Sequence, residues 1–448
     1  MKQYEAVVIG AGPGGYEAAV ELGKAGIKTL LIEKRKEHIG GVCLNEGCIP
    51  TKNYLQSAQY VSKIPYFMNC GLALEWKGLN LMQLADTTRG LKNELRSGIV
   101  WLLDQAGVET MFGTATFIDA YTVDVAGEKI GFEKCLIATG AHVRETSILP
   151  LDGKKILSSN DIFELNTLPK SMIIVGGGAI GCEFATFFNA FGVEVTLIAR
   201  GDQLLSGEDE DVAKTLLRAF KKSTIDVRLS TSIVNANVNE REVELQIMGE
   251  REESLRCELV LCAIGRDPYT EGLFPENAGV KQNEKGFIEI NEAFQTTQEH
   301  IYAVGDCIDT PAFAHTAYVE ARIAAHNMIS GEANTNTHVN PSTIFSDPQI
   351  ASCGLNEKEA REQGIAIEIK KAFFKVNAKA KILGDDAGFA KIIVCAQSGV
   401  ILGAAIIGVE ATEIIHEMVI AIEKKLTAKE LIAMIHVHPS VSEIIRYL

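Results

Sequence analysis

Ala6-Val7-Val8-Ile9-Gly10-Ala11-Gly12-Pro13-Gly14-Gly15-Tyr16 runs from a short apolar strand through a glycine turn into a helix that reads on to Ala25. Lys28 to Ile32 reads as a second strand, and Glu33 ends it. This is the strand–turn–helix–strand pattern that binds a dinucleotide, with its acid in place. Gly10 allows the tight turn, Gly12 lets the backbone approach a pyrophosphate, and Gly15, after Gly14 in the same turn, lets helix and strand pack closely. The helix start faces the phosphate charge, and Glu33 can accept from a ribose hydroxyl.

The pattern recurs. Ser171 to Val175 reads as a strand, Gly176-Gly177-Gly178-Ala179-Ile180-Gly181 as the turn, Cys182 to Phe191 as the helix and Val193 to Ile198 as the next strand. One glycine turn is weak evidence, but two in the correct strand–helix–strand context are strong. Gly176, Gly178 and Gly181 take the places of Gly10, Gly12 and Gly15. The copies differ at the acid. Where the first has Glu33, the second has Ala199 followed by Arg200. An acid favours NAD, whereas a nearby arginine accommodates the 2′-phosphate of NADP. The second copy therefore leans toward NADP, and Arg200 reads equally well as an exposed turn residue.

Just beyond the first copy stands Gly40-Gly41-Val42-Cys43-Leu44-Asn45-Glu46-Gly47-Cys48-Ile49-Pro50-Thr51-Lys52. Structural zinc needs four ligands, usually as two close pairs, and no second pair of that spacing follows. A disulfide that opens and closes fits Cys43 and Cys48 better. If these residues begin a helix, its N-terminus favours a thiolate.

The bulk properties set limits. A chain of 448 residues, 47% hydrophobic with 40 glycines, calls for two to four domains of α/β type. A net charge of -15 argues against a nucleic-acid surface and against anionic lipid. The chain opens Met1-Lys2-Gln3-Tyr4 and enters a strand at once, so no signal peptide is expected, and no apolar run is long enough to span a membrane. Ten cysteines are diluted through the chain. Cys135, Cys257, Cys262 and Cys395 lie in or beside apolar strands, which reads as buried thiols in a reducing cytoplasm.

Taken in order, these motifs resemble the pyridine nucleotide–disulfide oxidoreductases. Cys135-Leu136-Ile137-Ala138-Thr139-Gly140 resembles the family's link between nucleotide domains, and Ala263-Ile264-Gly265-Arg266-Asp267-Pro268 its return to the flavin domain. Thr296 to Asp306 resembles the second flavin motif, where the family's aspartate holds the ribityl chain, and Ala314-His315 stands beside the flavin. The tail His436-Val437-His438-Pro439-Ser440-Val441-Ser442-Glu443 is similar to that of the dihydrolipoamide dehydrogenases. Glutathione reductases carry arginines where this chain has Val20 and Glu21. Mercuric reductases end in a vicinal cysteine pair where this chain ends Ile445-Arg446-Tyr447-Leu448. Soluble transhydrogenases lack the active disulfide.

The resemblance implies an α/β chain with two Rossmann-like nucleotide-binding domains and a C-terminal α+β dimerisation domain. Residues 1–145 and 266–338 would bind FAD, 146–265 would bind NAD or NADP, and 339–448 would dimerise. Glycines 10, 12, 14 and 15, Glu33, Lys52, Thr139, Gly140, Gly265, Asp306 and Ala314 would contact the flavin nucleotide. Gly176, Gly178, Gly181 and Arg200 would contact the pyridine nucleotide. Cys48 would be the flavin-facing sulfur and Cys43 the interchange sulfur. Lys52 would lie near the flavin, paired with Glu183. His438, oriented by Glu443, would be the acid–base serving the disulfide of the other subunit in a homodimer, with His436 outside the catalytic set. The expected substrate is a lipoyl group on a separate carrier of a 2-oxo acid dehydrogenase or glycine cleavage system. No metal is expected. The alternative is an NADPH-dependent reductase of another small disulfide on the same scaffold.

Overall fold

The computed structural model describes residues 1–448, which divide into two compact units. The first comprises Met1–Thr51, Gln83–Arg144 and Gly265–Thr337. Its seven-stranded sheet sets Lys2–Ile9 between Thr29–Glu33 and Glu128–Ile137, all parallel, with Glu109–Phe112 outside Thr29–Glu33. Ile301–Ala303 also pairs parallel with Glu128–Ile137, and Thr122–Val125 and Ala115–Asp119 complete the sheet antiparallel. Val7, Val8, Ile137 and Ala303 are fully buried. Strands covered on both faces need such unbroken apolar runs.

The second unit comprises Lys52–Met82, Glu145–Ile264 and His338–Leu448. Its parallel sheet places Ser171–Val175 between Glu194–Ile198 and Leu259–Cys262, with Asp226–Arg228 and Ile156–Leu157 at the edges. A three-stranded antiparallel sheet follows, Ser232–Val238, Val243–Met248 and Glu252–Cys257. Alternate side chains of its middle strand are buried, as suits a sheet with one covered face. The C-terminal part is a five-stranded antiparallel sheet in the order Ser342–Ile344, Ile350–Gly354, Ile401–Gly408, Gly388–Cys395 and Ile367–Phe373, against which the helix Ala411–Glu423 packs. The fold is thus the doubly nucleotide-binding α/β type with an α+β C-terminal part.

Both fingerprints start their helices earlier than the pattern suggests, at Pro13 and Ala179. Gly12 and Gly178 sit at the N-caps, and only Gly14, Gly15 and Gly181 of the turn glycines lie within the first helical turn. Cys395 lies at a strand end and is half-buried, whereas Cys135, Cys257 and Cys262 are buried as expected. No helix is long and apolar enough to cross a membrane.

Candidate active site

In the first unit the strands Lys2–Ile9, Glu128–Ile137 and Ile301–Ala303 lie side by side and parallel, so their C-terminal ends share one edge of the sheet. Gly10, Thr139–Gly140 and Asp306 follow those three ends, and ligands of open α/β sheets bind at such places. Gly10 has φ +100°, and a Cβ on it would sit 2.3 Å from the Ala138 carbonyl oxygen. A Cβ on Gly15 would sit 1.8 Å from the Gly10 oxygen, so the helix closes against the turn. Gly12 differs from both. It has ordinary extended backbone, and a Cβ there would meet only the Gly41 Cα at 3.8 Å. Open space above a glycine whose backbone does not require one fits a pyrophosphate floor. Gly14 packs on Val304 and Ala317, which brings in the helix Ala314–Ser330 headed by Ala314.

Glu33 folds back on the turn. One of its oxygens accepts from the Ala11 N–H at 2.9 Å and the other from Arg35 N–H at 3.3 Å. A carboxylate retains lone pairs beyond these two bonds, so Glu33 can still accept from a ribose. Asp306 stands on the turn Gly305–Cys307, which Glu320 anchors by accepting from the Gly305 N–H at 2.7 Å. Burial pushes the Asp306 carboxyl up, against the pull of Arg266. Arg266 donates to the Ala141 carbonyl at 2.5 Å. Burial lowers its pKa, while the charges of Asp306 and Glu46 oppose that. Gly265, with φ +125°, lets the chain turn into this arginine and accepts from the Arg144 N–H at 3.0 Å.

The cysteines are set by backbone. Gly40 and Gly41 both take positive φ, +94° and +63°, and Gly40 N–H donates to the Ala11 oxygen at 2.8 Å. They start the short helix Gly41–Asn45 that carries the half-buried Cys43. A Cβ on Gly47 would lie 3.0 Å from the Val42 oxygen and 3.3 Å from the Cys43 Cα, so glycine lets the next residues close on Cys43. Cys48, exposed, is the first residue of the helix Cys48–Asn69, whose N-terminus favours negative charge on sulfur. Buried Asn45 locks the turn. Its amide donates to the Ile39 and Gly41 carbonyls at 3.2 and 2.8 Å, and its oxygen accepts from Arg96 at 2.5 Å. On the helix following the first fingerprint, Tyr16 hydroxyl donates to Tyr318 hydroxyl at 2.8 Å. Burial, then the bond to Tyr318, lifts the Tyr16 phenol, with the charge of Cys43 adding to it.

The second unit holds the other candidates. Gly176 repeats Gly10 with φ +128° and the Ala263 oxygen 2.1 Å from a built Cβ, and Gly181 repeats Gly15 at 1.9 Å from the Gly176 oxygen. Nothing lies within 4 Å of a Cβ built on Gly178. The turn therefore fits a second dinucleotide. At its rim the Ala199 methyl lies 2.7 Å from a Cβ built on Gly177, and Arg200 is exposed. No side-chain oxygen stands at 199 to accept from a ribose.

Glu183, buried on the helix Ala179–Ala190, accepts from Lys52 Nζ through both oxygens, at 2.8 and 2.9 Å. It also accepts from the Phe345 N–H at 3.0 Å, and the Lys52 ammonium stands 4.9 Å from the Phe345 ring centre. The chain thus brings Lys52 and Glu183 together. His438 Nδ1 lies 3.0 Å from both oxygens of Glu443. The imidazole is 72% exposed while Glu443 is buried. A Nδ1–H directed at the carboxylate leaves Nε2 as the basic nitrogen. The hydrogen bond from His438 chiefly holds the Glu443 carboxyl below the usual range, with the Ser440 N–H adding to it. His436 turns elsewhere, 3.1 Å from Glu417. Asn377, buried, donates to the Ser440 and Val441 carbonyls and fixes the turn.

Arg266, Asn45, Glu320, Asn377 and the Tyr16–Tyr318 pair are absent from the sequence-based set. Arg266 and Asn45 stand inside motifs already quoted, so their neighbours were a signal. Tyr16 likewise ends the first quoted motif, whereas Glu320, Asn377 and Tyr318 carry no such signal.

A family model described as pyridine nucleotide-disulphide oxidoreductase matches residues 4–321, and that family's dimerisation domain matches residues 340–448. A dihydrolipoyl dehydrogenase of Haloferax volcanii is 34% identical, over 98% of this chain and 94% of that protein. One of Geobacillus stearothermophilus is also 34% identical, over 98% and 94%. Among solved structures, the HOCl-induced flavoprotein disulfide reductase RclA from Escherichia coli superposes with a TM-score of 0.89 at 29% identity, covering 99% of this chain and 98% of that one.

Proposed function

The chain belongs to the pyridine nucleotide–disulfide oxidoreductases, and from that premise we propose that it oxidises protein-bound dihydrolipoyl groups through Cys43 and Cys48, as a dihydrolipoyl dehydrogenase. The observation that carries this reading is the exposed imidazole of His438, held at Nδ1 by buried Glu443. Thiol exchange needs a group that gives and takes a proton, and an exposed imidazole with its Nδ1 held by a carboxylate presents Nε2 for that.

His438 Nε2 takes the proton of one substrate thiol. The resulting thiolate attacks the Cys43 sulfur of a Cys43–Cys48 disulfide, and Cys48 departs as a thiolate at its helix N-terminus. The second substrate sulfur then displaces Cys43 and closes the lipoyl disulfide, its proton passing to the departing Cys43 sulfur while the first stays on His438. Two electrons now rest on the cysteine pair. FAD and NAD(P)⁺, when bound, supply the two-electron chemistry that carries them away. Gly12 and Gly178 would underlie the two pyrophosphates, with Glu33, Thr139–Gly140, Asp306 and Ala314 along the flavin nucleotide. Lys52 would be held by Glu183 toward the flavin. The lipoyl carrier would belong to a 2-oxo acid dehydrogenase or glycine cleavage system. The base would come from the second subunit of a homodimer.

Ala199 and exposed Arg200 favour NADP over NAD, and with it a second reading: reduction of another small disulfide by NADPH. The likeness to the Escherichia coli disulfide reductase supports that alternative. Rates with dihydrolipoamide and each oxidised nucleotide, set against NADPH with a panel of disulfides, separate the two. Turnover of lipoamide with neither nucleotide overturns the first reading.

A further inference from the structure

Lys371 and Lys391 stand directly opposite each other on adjacent strands of the C-terminal sheet. Like charges so placed repel, and Lys391 is also 1% exposed. The sequence around it, Gly388-Phe389-Ala390-Lys391-Ile392-Ile393, is otherwise that of a buried strand. Three carboxylates explain the pair. Lys391 Nζ donates to Glu357 at 2.6 Å, to Asp209 at 2.8 Å and to Asp211 at 3.4 Å, and Lys371 donates to that same Asp211 oxygen at 3.0 Å. Burial alone would lower the Lys391 pKa, but the bonds to Asp209 and Glu357 outweigh it and hold the ammonium charged.

Asp209 and Asp211 belong to the nucleotide half of the unit. Asp209 caps the helix Glu210–Lys222, accepting from the Asp211 N–H at 3.0 Å. Between Arg200 and that cap the chain runs back over the second glycine turn. Leu205 N–H donates to the Gly177 oxygen at 2.8 Å, although Leu205 must adopt φ +52° to do so. A leucine in that region persists only when its surroundings hold it. Glu208 N–H returns to the Leu205 oxygen at 2.8 Å, and Ser342 donates to the Glu208 carboxylate at 2.7 Å. A continuous line of bonds therefore joins Lys391, through Asp209 and the segment 205–209, to Gly177.

We propose that Lys391 is a positioning residue for the pyridine nucleotide, clamping the Arg200–Asp209 segment so that the Gly177–Gly178 floor and the Arg200 rim hold one geometry. The proposal rests on the reading of the second glycine turn as the nucleotide site. Lys391 touches neither nucleotide nor sulfur. Its effect is confined to how well the site is formed before binding.

The test uses FAD-loaded enzyme. NAD⁺ and NADP⁺ are titrated into the parent, Lys391→Met and Asp209→Asn by quenching of protein fluorescence, alongside steady-state kinetics. In Lys391→Met the preferred nucleotide should bind about tenfold more weakly and its KM rise by a similar factor. kcat and the KM of the dithiol should stay within about twofold. Asp209→Asn keeps an oxygen for the helix cap and for Lys391 but removes its charge, while Glu357 and Asp211 still hold the lysine, so it should move the same way by less. It also keeps the question answerable if Lys391→Met does not fold. Unchanged nucleotide affinity in a variant that retains its flavin overturns the clamp. So does an equal loss in both KM values and kcat, which would mark a general structural role. A parent that binds neither nucleotide overturns the nucleotide reading and the clamp together.

Discussion

At the scale of single residues, the chemistry depends on which side chains are held and which are left open. Glu443 is buried and doubly engaged, whereas the imidazole it orients faces solvent. Glu443→Gln keeps the shape and removes the charge. It should lower kcat/KM for the dithiol roughly 100-fold, the scale of a compromised acid–base group, and leave nucleotide binding intact. The same substitution bears on acid stability. The folded pKa of Glu443 lies below its unfolded value, so its contribution is complete above the ordinary carboxylate range and fades as pH falls through the folded pKa. Melting temperatures stepped from about pH 6 to pH 3 should fall less steeply in Glu443→Gln than in the parent. Arg200→Glu tests the other open position. If Arg200 reads a 2′-phosphate, NADPH use should drop and NADH use rise. If neither preference moves, the exposed arginine is only a turn residue. Cys48→Ser should abolish dithiol turnover while the protein stays yellow.

At the scale of elements, the glycine turns divide into positions that keep the fold and positions that keep space. Gly181→Ala would drive a methyl to within 1.9 Å of the Gly176 oxygen, an overpacking that costs about 1–3 kcal/mol and should appear as a lowered melting temperature. Gly178→Ala meets nothing within 4 Å and needs no unusual φ. It should melt close to the parent yet bind the pyridine nucleotide poorly. The opposite ordering would contradict the assignment of Gly178 to the phosphate floor. The cysteine segment obeys the same logic. Two positive-φ glycines and Gly47 let a five-residue helix and the start of a long one meet at Cys43. Asn45, buried with partners on both sides of its amide, is the side chain that secures them.

At the scale of the whole molecule, the C-terminal part exposes Ile435 fully and Val437 by 77% beside His438. Apolar side chains left in water beside a proposed catalytic base suit a surface that a second copy covers. Sedimentation should give the mass of two subunits, and Ile435→Glu with Val437→Glu should shift it toward one and lower activity on dilution. The sequence by itself determined the two glycine turns, their helices, the cysteine spacing and the contrast of Glu33 with Ala199. Each follows from backbone rules that act over a few residues, such as the φ a turn demands or the face a strand buries. The pairing of Lys52 with Glu183 and of His438 with Glu443 came with the family resemblance, and the distances then gave it geometry. Only the tertiary structure decided that the charges of Arg266 and Asp306 act on each other, that Tyr16 meets Tyr318, that Asn377 fixes the histidine turn, and that a lysine inside a hydrophobic strand reaches an acidic helix cap. Those partners are far apart in the chain, and nothing local marks them. They meet because packed layers bring the elements together, and a buried charge persists there only where its counter-charge has also been brought.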